Sequence, residues 1–517
     1  MRRMPPSWGR TWHFRFLAGS RGPASIIHAM LLKAGAVSLG LLVASRLLGL
    51  LRESALAATF GTSGLADVAV LMLALPDWLV GVLASGALAY VLLPAWAAQS
   101  PAQVGASERR VARWLLLAGV TLAVLLATLR VPALVWLAGG LPAAVRGVAA
   151  QALAWSALCL PAALLAALWT TRLQHQRDFV GMYSAGIVVN VVLLAAIFAA
   201  GTAHAGAASV AWLGGGLAAA MLLRLAWLRW RQAPPSCAGG AHSAPMPPLP
   251  VWLWAALSAG LPLAFPFAAR SMASHTGEGA LATFSYAWKL VELPLLLAIQ
   301  LVATLAFPAI AKALSAGGAD VPAGSRAQPV RSAFALAFLL ACASAAGLLA
   351  GAPALAQLLF GWGRMEPEAL TRVAQWARIG AWSLLPQSLI AVALTVLAAQ
   401  RRMKAAVIGY ALALAALLSF GASGVTDGGT LMLALDVLLG GVAVVSVLAM
   451  GAEARQELPW SVLGASAGAL LVLASGLAWL PPGGGLAAGL ALAAACAGVV
   501  LATGWLAGAR LRANAAP

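Results

Sequence analysis

Apolar residues run along this chain in long stretches broken by short polar loops. At about 20 apolar residues per bilayer crossing, fourteen stretches are predicted to be transmembrane helices. They fall at 31–58, 67–98, 111–138, 147–171, 180–201, 207–228, 251–272, 279–310, 332–360, 376–399, 405–421, 428–450, 459–481 and 484–508. Several exceed the minimum length, so tilt or kinks are expected. Pro76, Pro94, Pro262, Pro266, Pro294 and Pro308 lie inside these runs. Each removes a backbone hydrogen bond, which a membrane tolerates where neighbouring protein or a watery cavity satisfies the freed carbonyl.

One substantial break interrupts the pattern. The stretch after Arg231 is rich in Pro, Gly, Ser and Ala and is predicted to be a flexible cytoplasmic linker. The expected division is a basic arm (1–30), a first lobe of six spans (31–228), the linker (229–250), a second lobe (251–450), and two further spans with a short tail (451–517). A faint internal echo crosses the linker. Span 2 contains Leu75-Pro76 and later Leu93-Pro94-Ala95; span 8 contains Leu293-Pro294 and later Phe307-Pro308-Ala309. Duplicated bundles with a site between them are a common transporter plan.

Composition excludes a soluble protein. Hydrophobic residues are 62% of the chain, charged residues only 9%, and mean hydropathy is +0.92; ordinary globular domains carry about 25% charge. The fold class is therefore an all-α polytopic membrane protein. Of 32 Lys and Arg, the predicted topology places 22 on one side and only Arg146, Arg364, Arg372 and Arg378 on the other. The remaining six lie in or at the ends of spans. That asymmetry is the positive-inside rule, so the net charge of +18 reports topology and not a nucleic-acid partner. Both termini are expected in the cytoplasm. The arm carries Arg2, Arg3, Arg10, Arg15 and Arg21 with no apolar run long enough for a signal peptide. With Trp12, Phe14 and Phe16 it suits the inner leaflet; a disordered arm, or a start at Met30, are the alternatives. Cys159, Cys237, Cys342 and Cys496 are far apart, so neither a disulfide nor a metal site is expected.

Ionisable groups inside the spans carry the functional information, because an unpaired charge in the bilayer costs several kcal/mol. Span 1 holds Arg46 and Arg52, roughly 20 and 28 Å up the helix from Lys33 at about 1.5 Å per residue, with Glu53 following. Span 2 adds Asp67 near its outer end and Asp77 near mid-depth; span 7 has Arg270; span 12 has Asp436. In span 8, Lys289 and Glu292 have the spacing of an ion pair. Arg52 and Arg270 are the residues that snorkelling to the outer interface also explains. A cationic, partly hydrated cavity built from spans 1, 7 and 8 suits a diphosphate, which arginine holds by paired hydrogen bonds.

Enzymatic signals are poor. There is no phosphate loop and no His-Glu-x-x-His pair. Gly464-Ala465-Ser466-Ala467-Gly468 matches the string of a nucleophile elbow but lies inside an apolar span, where small residues mark close helix packing. No catalytic residue, cofactor or metal is expected.

The opening spans also carry a family pattern. Ser45-Arg46-Leu47-Leu48-Gly49-Leu50-Leu51-Arg52-Glu53, Phe60-Gly61-Thr62-Ser63-Gly64-Leu65-Ala66-Asp67, Leu75-Pro76-Asp77, Gly86-Ala87-Leu88 and Leu93-Pro94 resemble the start of the MurJ/MviN family of lipid II flippases. That family sits within the multidrug/oligosaccharidyl-lipid/polysaccharide exporter superfamily. Tyr286-Ala287-Trp288-Lys289-Leu290-Val291-Glu292-Leu293-Pro294 and Leu359-Phe360-Gly361-Trp362-Gly363-Arg364 continue the likeness. The resemblance implies two helical lobes around a cationic cavity, two extra C-terminal helices, and a place in the bacterial inner membrane. It implies alternating-access transfer of a polyprenyl-diphosphate-linked saccharide, lipid II first, to the outer leaflet. Arg46, Arg52, Arg270 and Lys289 are the expected substrate-binding residues; Glu53, Asp67, Asp77 and Glu292 are charge partners or gate contacts. The partners implied are the lipid-linked saccharide, membrane lipids and cell-wall synthesis proteins.

Departures are equally specific. After the Leu-Pro of span 2 the family shows Asn and then two basic residues, where this chain has Asp77-Trp78-Leu79-Val80-Gly81; Ser85 stands for an acid, Lys289 for Arg, and Trp288 for Asp. Spans 7 and 11 contain no Asp, Glu or Asn, so the sodium site of some members is not expected. A paralogue exporting another lipid-linked glycan for exopolysaccharide fits a kept scaffold with an altered cavity. A cation-coupled drug antiporter favours acidic groups, and a non-transporting scaffold makes no use of Arg46 and Lys289.

Overall fold

The computed structural model describes residues 23–202, 206–232, 246–315, 323–424, 427–479 and 485–514. Most of the expected basic arm, and the linker segment with Cys237, lie outside the described residues. The first half comprises α1 (Pro23–Phe60), α2 (Gly64–Val82), a π-helical turn (Leu83–Ala87), α3 (Leu88–Ala97), α4 (Pro101–Thr128), α5 (Arg130–Ala138), α6 (Ala143–His175), α7 (Phe179–Thr202) and α8 (Ala207–Arg231). The second half begins with α9 (Leu249–Ala273), a 3-10 turn (Ser274–Thr276), α10 (Ala280–Pro294), a second π-helical turn (Leu295–Ile299) and α11 (Gln300–Ser315). It continues with α12 (Ala323–Phe360), α13 (Pro367–Gly380), a 3-10 turn (Ala381–Ser383), α14 (Leu384–Ala399), α15 (Lys404–Ala422) and α16 (Gly428–Ala449). The chain ends with α17 (Ala452–Gln456), α18 (Trp460–Leu477) and α19 (Leu486–Asn514).

No strand occurs among the described residues, and thirteen helical stretches are long and apolar enough to cross a membrane. That is what a solvent without hydrogen-bonding capacity demands, since a helix satisfies its own backbone. Local chemistry sets the ends. Ser63 begins α2 by accepting the Ala66 N–H, and a reciprocal Ser100–Gln103 capping box with Pro101 begins α4. Asp427 begins α16 by accepting the Thr430 N–H. The echo across the linker takes physical form: α2–α3 and α10–α11 are each one long rod interrupted by a π-helical turn downstream of Pro76 and Pro294.

Helices α1 to α8 pack largely on one another, with α6 against α2, α4 and α8 and α7 against α1 and α8. Ser156 of α6 donates to the Met72 carbonyl of α2 at 2.7 Å, one of few polar ties inside this apolar interface. In the second half α12 is the hub, contacting α11, α13, α14, α18 and α19. Helix α9 bridges the halves, packing on α15 and α10 and also on α2, α3, α5 and the first π-helical turn. Gly86 permits that approach: a Cβ there would lie 1.8 Å from Cβ of Ala259. Close packing between α18 and α19 runs through Ser466, the middle residue of the Gly464–Gly468 string. Gly464 and Gly468 have no neighbour within 4 Å of a built Cβ, whereas Gly504 faces the Ser466 hydroxyl at 2.6 Å. Cys159, Cys342 and Cys496 are buried free thiols.

Candidate functional site

The two halves are sealed together at the end of the bundle that holds the α1–α2 turn. The seal is made of backbone groups capped by carboxylates. Asp67, 1% exposed, lies in the first turn of α2 and accepts the N–H groups of Gly279 (2.9 Å) and Ala282 (2.7 Å) at the start of α10. Glu278, just ahead of α10, accepts the N–H of Gly64 at the start of α2 at 3.0 Å. Each half thus supplies the anion that its partner's exposed helix N-terminus favours. Arg364 donates its N–H to the Ala58 carbonyl at 2.9 Å, and the Tyr286 hydroxyl donates to the Gly61 carbonyl at 3.2 Å. Two glycines allow this proximity. Gly279 (φ +73°) and Gly363 (φ +63°) sit in left-handed conformations, and a Cβ would fall 1.6 Å from the Thr62 carbonyl oxygen and 2.2 Å from that of Ala58.

Below the seal, eight ionisable side chains from five helices converge. Arg52 donates to Asp77 at 3.0 Å and to Glu53 at 2.8 Å, and Lys289 pairs with Glu292 at 2.7 Å. Arg270 lies within electrostatic reach of Glu53, Asp77 and Glu292, and Arg46 within reach of Glu292. Arg224 of α8 lies within electrostatic reach of Asp77. Five cations (Arg46, Arg52, Arg224, Arg270, Lys289) therefore meet three anions (Glu53, Asp77, Glu292). The Nε atoms of Arg52, Arg224 and Arg270 are screened from solvent and have no hydrogen-bond partner, so donor capacity is left over. The cluster is also reachable: Arg46 is exposed, the Asp77 side chain is 40% accessible, and those of Lys289 and Glu292 are 28% and 26% accessible. Beyond it, α1 buries no residue between Val37 and Leu51. A groove of about 450 Å³ opens between α11 and α14 along Gln300, Thr304, Phe307 and Thr395, and no ionisable group lines it. A partly accessible cluster with an excess of cations can take up an anionic group.

The model of the lipid II flippase MurJ family matches residues 56–482. The chain belongs to that family. Among solved structures, "Lipid II flippase MurJ, inward closed conformation" is 13% identical, covers 88% of this chain and 96% of its own, and has a TM-score of 0.69. An inward-facing multidrug resistance MATE family transporter of the MOP superfamily is 14% identical over 84% of this chain and 95% of its own, at a TM-score of 0.60. An outward-facing one is also 14% identical, over 80% and 92%, at 0.50. Comparison with curated proteins gives no match.

With the MurJ fold in place, the residues singled out from sequence can be located. Arg46, Arg52, Glu53, Asp77, Arg270, Lys289 and Glu292 all stand in the one cluster. Arg270 turns inward and not to the bilayer surface: α9 packs on α2 and α10, and the guanidinium lies within electrostatic reach of Glu53, Asp77 and Glu292. Asp67 stands apart from the cations and caps α10. Two residues escaped the sequence. Arg224 is one of the 22 basic residues that the predicted topology places on the cytoplasmic side, yet it lies two turns inside Arg231 and within electrostatic reach of Asp77; its distance from the helix end is the available signal. Glu278 sits between Gly277 and Gly279, an acid in a turn directly ahead of a span. Three rim cations are paired locally, Arg172 to Glu108 (3.3 Å), Arg231 to Asp178 (2.7 Å) and Arg331 to Glu457 (2.8 Å).

Proposed function

We propose that this chain moves a polyprenyl-diphosphate-linked saccharide, lipid II first, from the cytoplasmic to the outer leaflet of a bacterial inner membrane by alternating access. The observation that carries it is the cluster of five cations against three anions, contributed by both halves and seated below a seal of breakable hydrogen bonds. The basic rim of Arg109, Arg110, Arg113, Arg172, Arg229, Arg231, Arg401 and Arg402 belongs at the end opposite the seal. By the positive-inside rule that end faces the cytoplasm, with both termini there and the sealed end facing outward.

In this mechanism the diphosphate enters from the cytoplasmic leaflet and takes hydrogen bonds from Arg46, Arg270, Arg224 and Lys289. The hydrocarbon remains beside the apolar flank of α1. Anion binding competes with Glu53, Asp77 and Glu292 for the same cations, which loosens their links across the halves. The seal then opens as Asp67 and Glu278 release the helix termini, and the headgroup leaves outward. Cell-wall synthesis proteins would receive the product.

Depletion of a host's own lipid II flippase tests this directly: expression of the chain is expected to restore growth. A second reading rests on Asp77, which pairs with Arg52 at 3.0 Å and stands where the family pattern has Asn ahead of two basic residues. Rescue of an exopolysaccharide export mutant, with no rescue of the depleted host, would favour a paralogue carrying a different glycan. The excess of cations counts against a cation-coupled drug antiporter.

A further inference from the structure

A half-buried acid with a screened carboxylate lies outside the cluster. Asp436 sits in the middle of α16, and both of its carboxylate oxygens are screened from solvent without a hydrogen-bond partner. The backbone N–H of Ser383 points toward it, short of full hydrogen-bond geometry. The Ser383 hydroxyl is committed elsewhere, donating to the Gly380 carbonyl at 2.7 Å, while its oxygen accepts from Gln387 Nε2 at 2.9 Å. Helix α16 packs against α9, α13, α14, α15 and α17. Their ionisable groups include Arg270, Arg372, Arg378, Lys404, Tyr410, Glu453 and Arg455, and none of these comes within electrostatic reach of Asp436. A bare carboxylate in that setting costs several kcal/mol. One proton removes the cost. A metal cation needs several oxygen ligands, and no group of three or more metal-binding side chains occurs among the described residues.

Position gives the acid a lever. Ser383 ends the 3-10 turn at which α13 becomes α14, and such a break within a span is a natural hinge. Gly380, at the start of the hinge, is wedged between α10 and α16. A Cβ there would lie 3.1 Å from Val291 and 3.4 Å from the Met432 sulfur. Met432 is one turn from Asp436, and Val291 stands between Lys289 and Glu292. The acid, the hinge and the substrate-facing helix are therefore in continuous contact.

We propose that Asp436 is a proton-binding site, loaded in the sealed arrangement and released when the seal opens, which couples headgroup transfer to proton movement. The coupling rests on the flippase reading; the proton site does not. The chemistry is one proton joining one carboxylate to give a neutral carboxyl. Opening the seal frees α10, withdraws Val291 from Gly380, and lets the hinge bend so that water reaches Asp436.

The test uses the full chain in lipid nanodiscs without substrate. Infrared difference spectra are recorded across mildly acidic to mildly alkaline pH. Spin labels on Arg130→Cys and Glu368→Cys, in a chain whose own cysteines are replaced by Ala, report the width of the sealed end. Wild type is expected to lose a protonated-carboxyl band as pH rises, and the open-to-closed ratio to change by up to about tenfold per tenfold change in proton concentration. Asp436→Asn should lack the band and hold one ratio at every pH, while Asp436→Glu restores both responses. Thermal unfolding confirms that each variant is folded. An unchanged band or an unchanged pH response in Asp436→Asn overturns the proposal, as does a width that follows sodium at fixed pH instead of protons. Failure to rescue a depleted host would remove the flippase reading and leave the titrating band standing.

Discussion

Arg52 shows how a charge is kept inside a bilayer protein. Its side chain is 10% accessible and that of Glu53 8%, so each neutralises its neighbour where water cannot. Arg52→Ala leaves Glu53 buried without its partner and is expected to cost about 3–5 kcal/mol, read as a lower unfolding temperature in detergent. Arg52→Ala with Glu53→Ala should recover most of that loss. Arg270 differs, because its unpartnered Nε leaves capacity for a ligand. Loss of one charge-assisted hydrogen bond of about 1.5–3 kcal/mol predicts that Arg270→Ala weakens diphosphate binding about 10- to 100-fold. Titration calorimetry with a short-chain prenyl diphosphate measures it, and equal affinity would remove Arg270 from the site. At this scale the sequence was legible where depth along a helix identified a charge, as for Arg46 and Lys289. It was misleading where rim and interior shared one helix, as for Arg224.

Among the elements, the sealed end depends on what α2 and α10 each lack. Both begin with N–H groups that have no partner in their own helix, and each receives a carboxylate from the opposite half. Asp67→Ala removes the acceptor for two of these groups. It is expected to shift the open-to-closed ratio by about 30-fold, the equivalent of about 2 kcal/mol. Reaction of Thr62→Cys with a membrane-impermeant thiol reagent added outside reports the shift; unchanged labelling would contradict a gate role. Gly279→Ala should open the same end, since its Cβ overlaps the Thr62 carbonyl oxygen. The helices themselves were readable because the bilayer imposes a run length that few other solvents impose. Reciprocal capping was not, because it joins a carboxylate to backbone N–H groups more than 200 residues away and leaves no periodic trace. The segments around Gly61 and Gly363 stood out only through family likeness, and the structure supplies the reason: they meet at the seal.

The whole molecule is two halves joined along α9 and at the sealed end, with a cationic site where helices of both halves converge. Breaking the α9 contact should therefore impair transfer without emptying the site. Gly86→Leu forces a side chain into Ala259 and is expected to cut growth rescue at least severalfold while diphosphate binding stays within about twofold. Binding that falls in step with rescue would argue that the halves do not move independently of the cluster. The central claim is that cations from both halves grip one anionic headgroup, and native mass spectrometry of the purified chain with lipid II tests it most directly. Wild type is expected to retain one lipid II, and the folded double variant Arg46→Ala with Lys289→Ala to bind at least about tenfold more weakly. Equal retention by the two proteins would contradict the account.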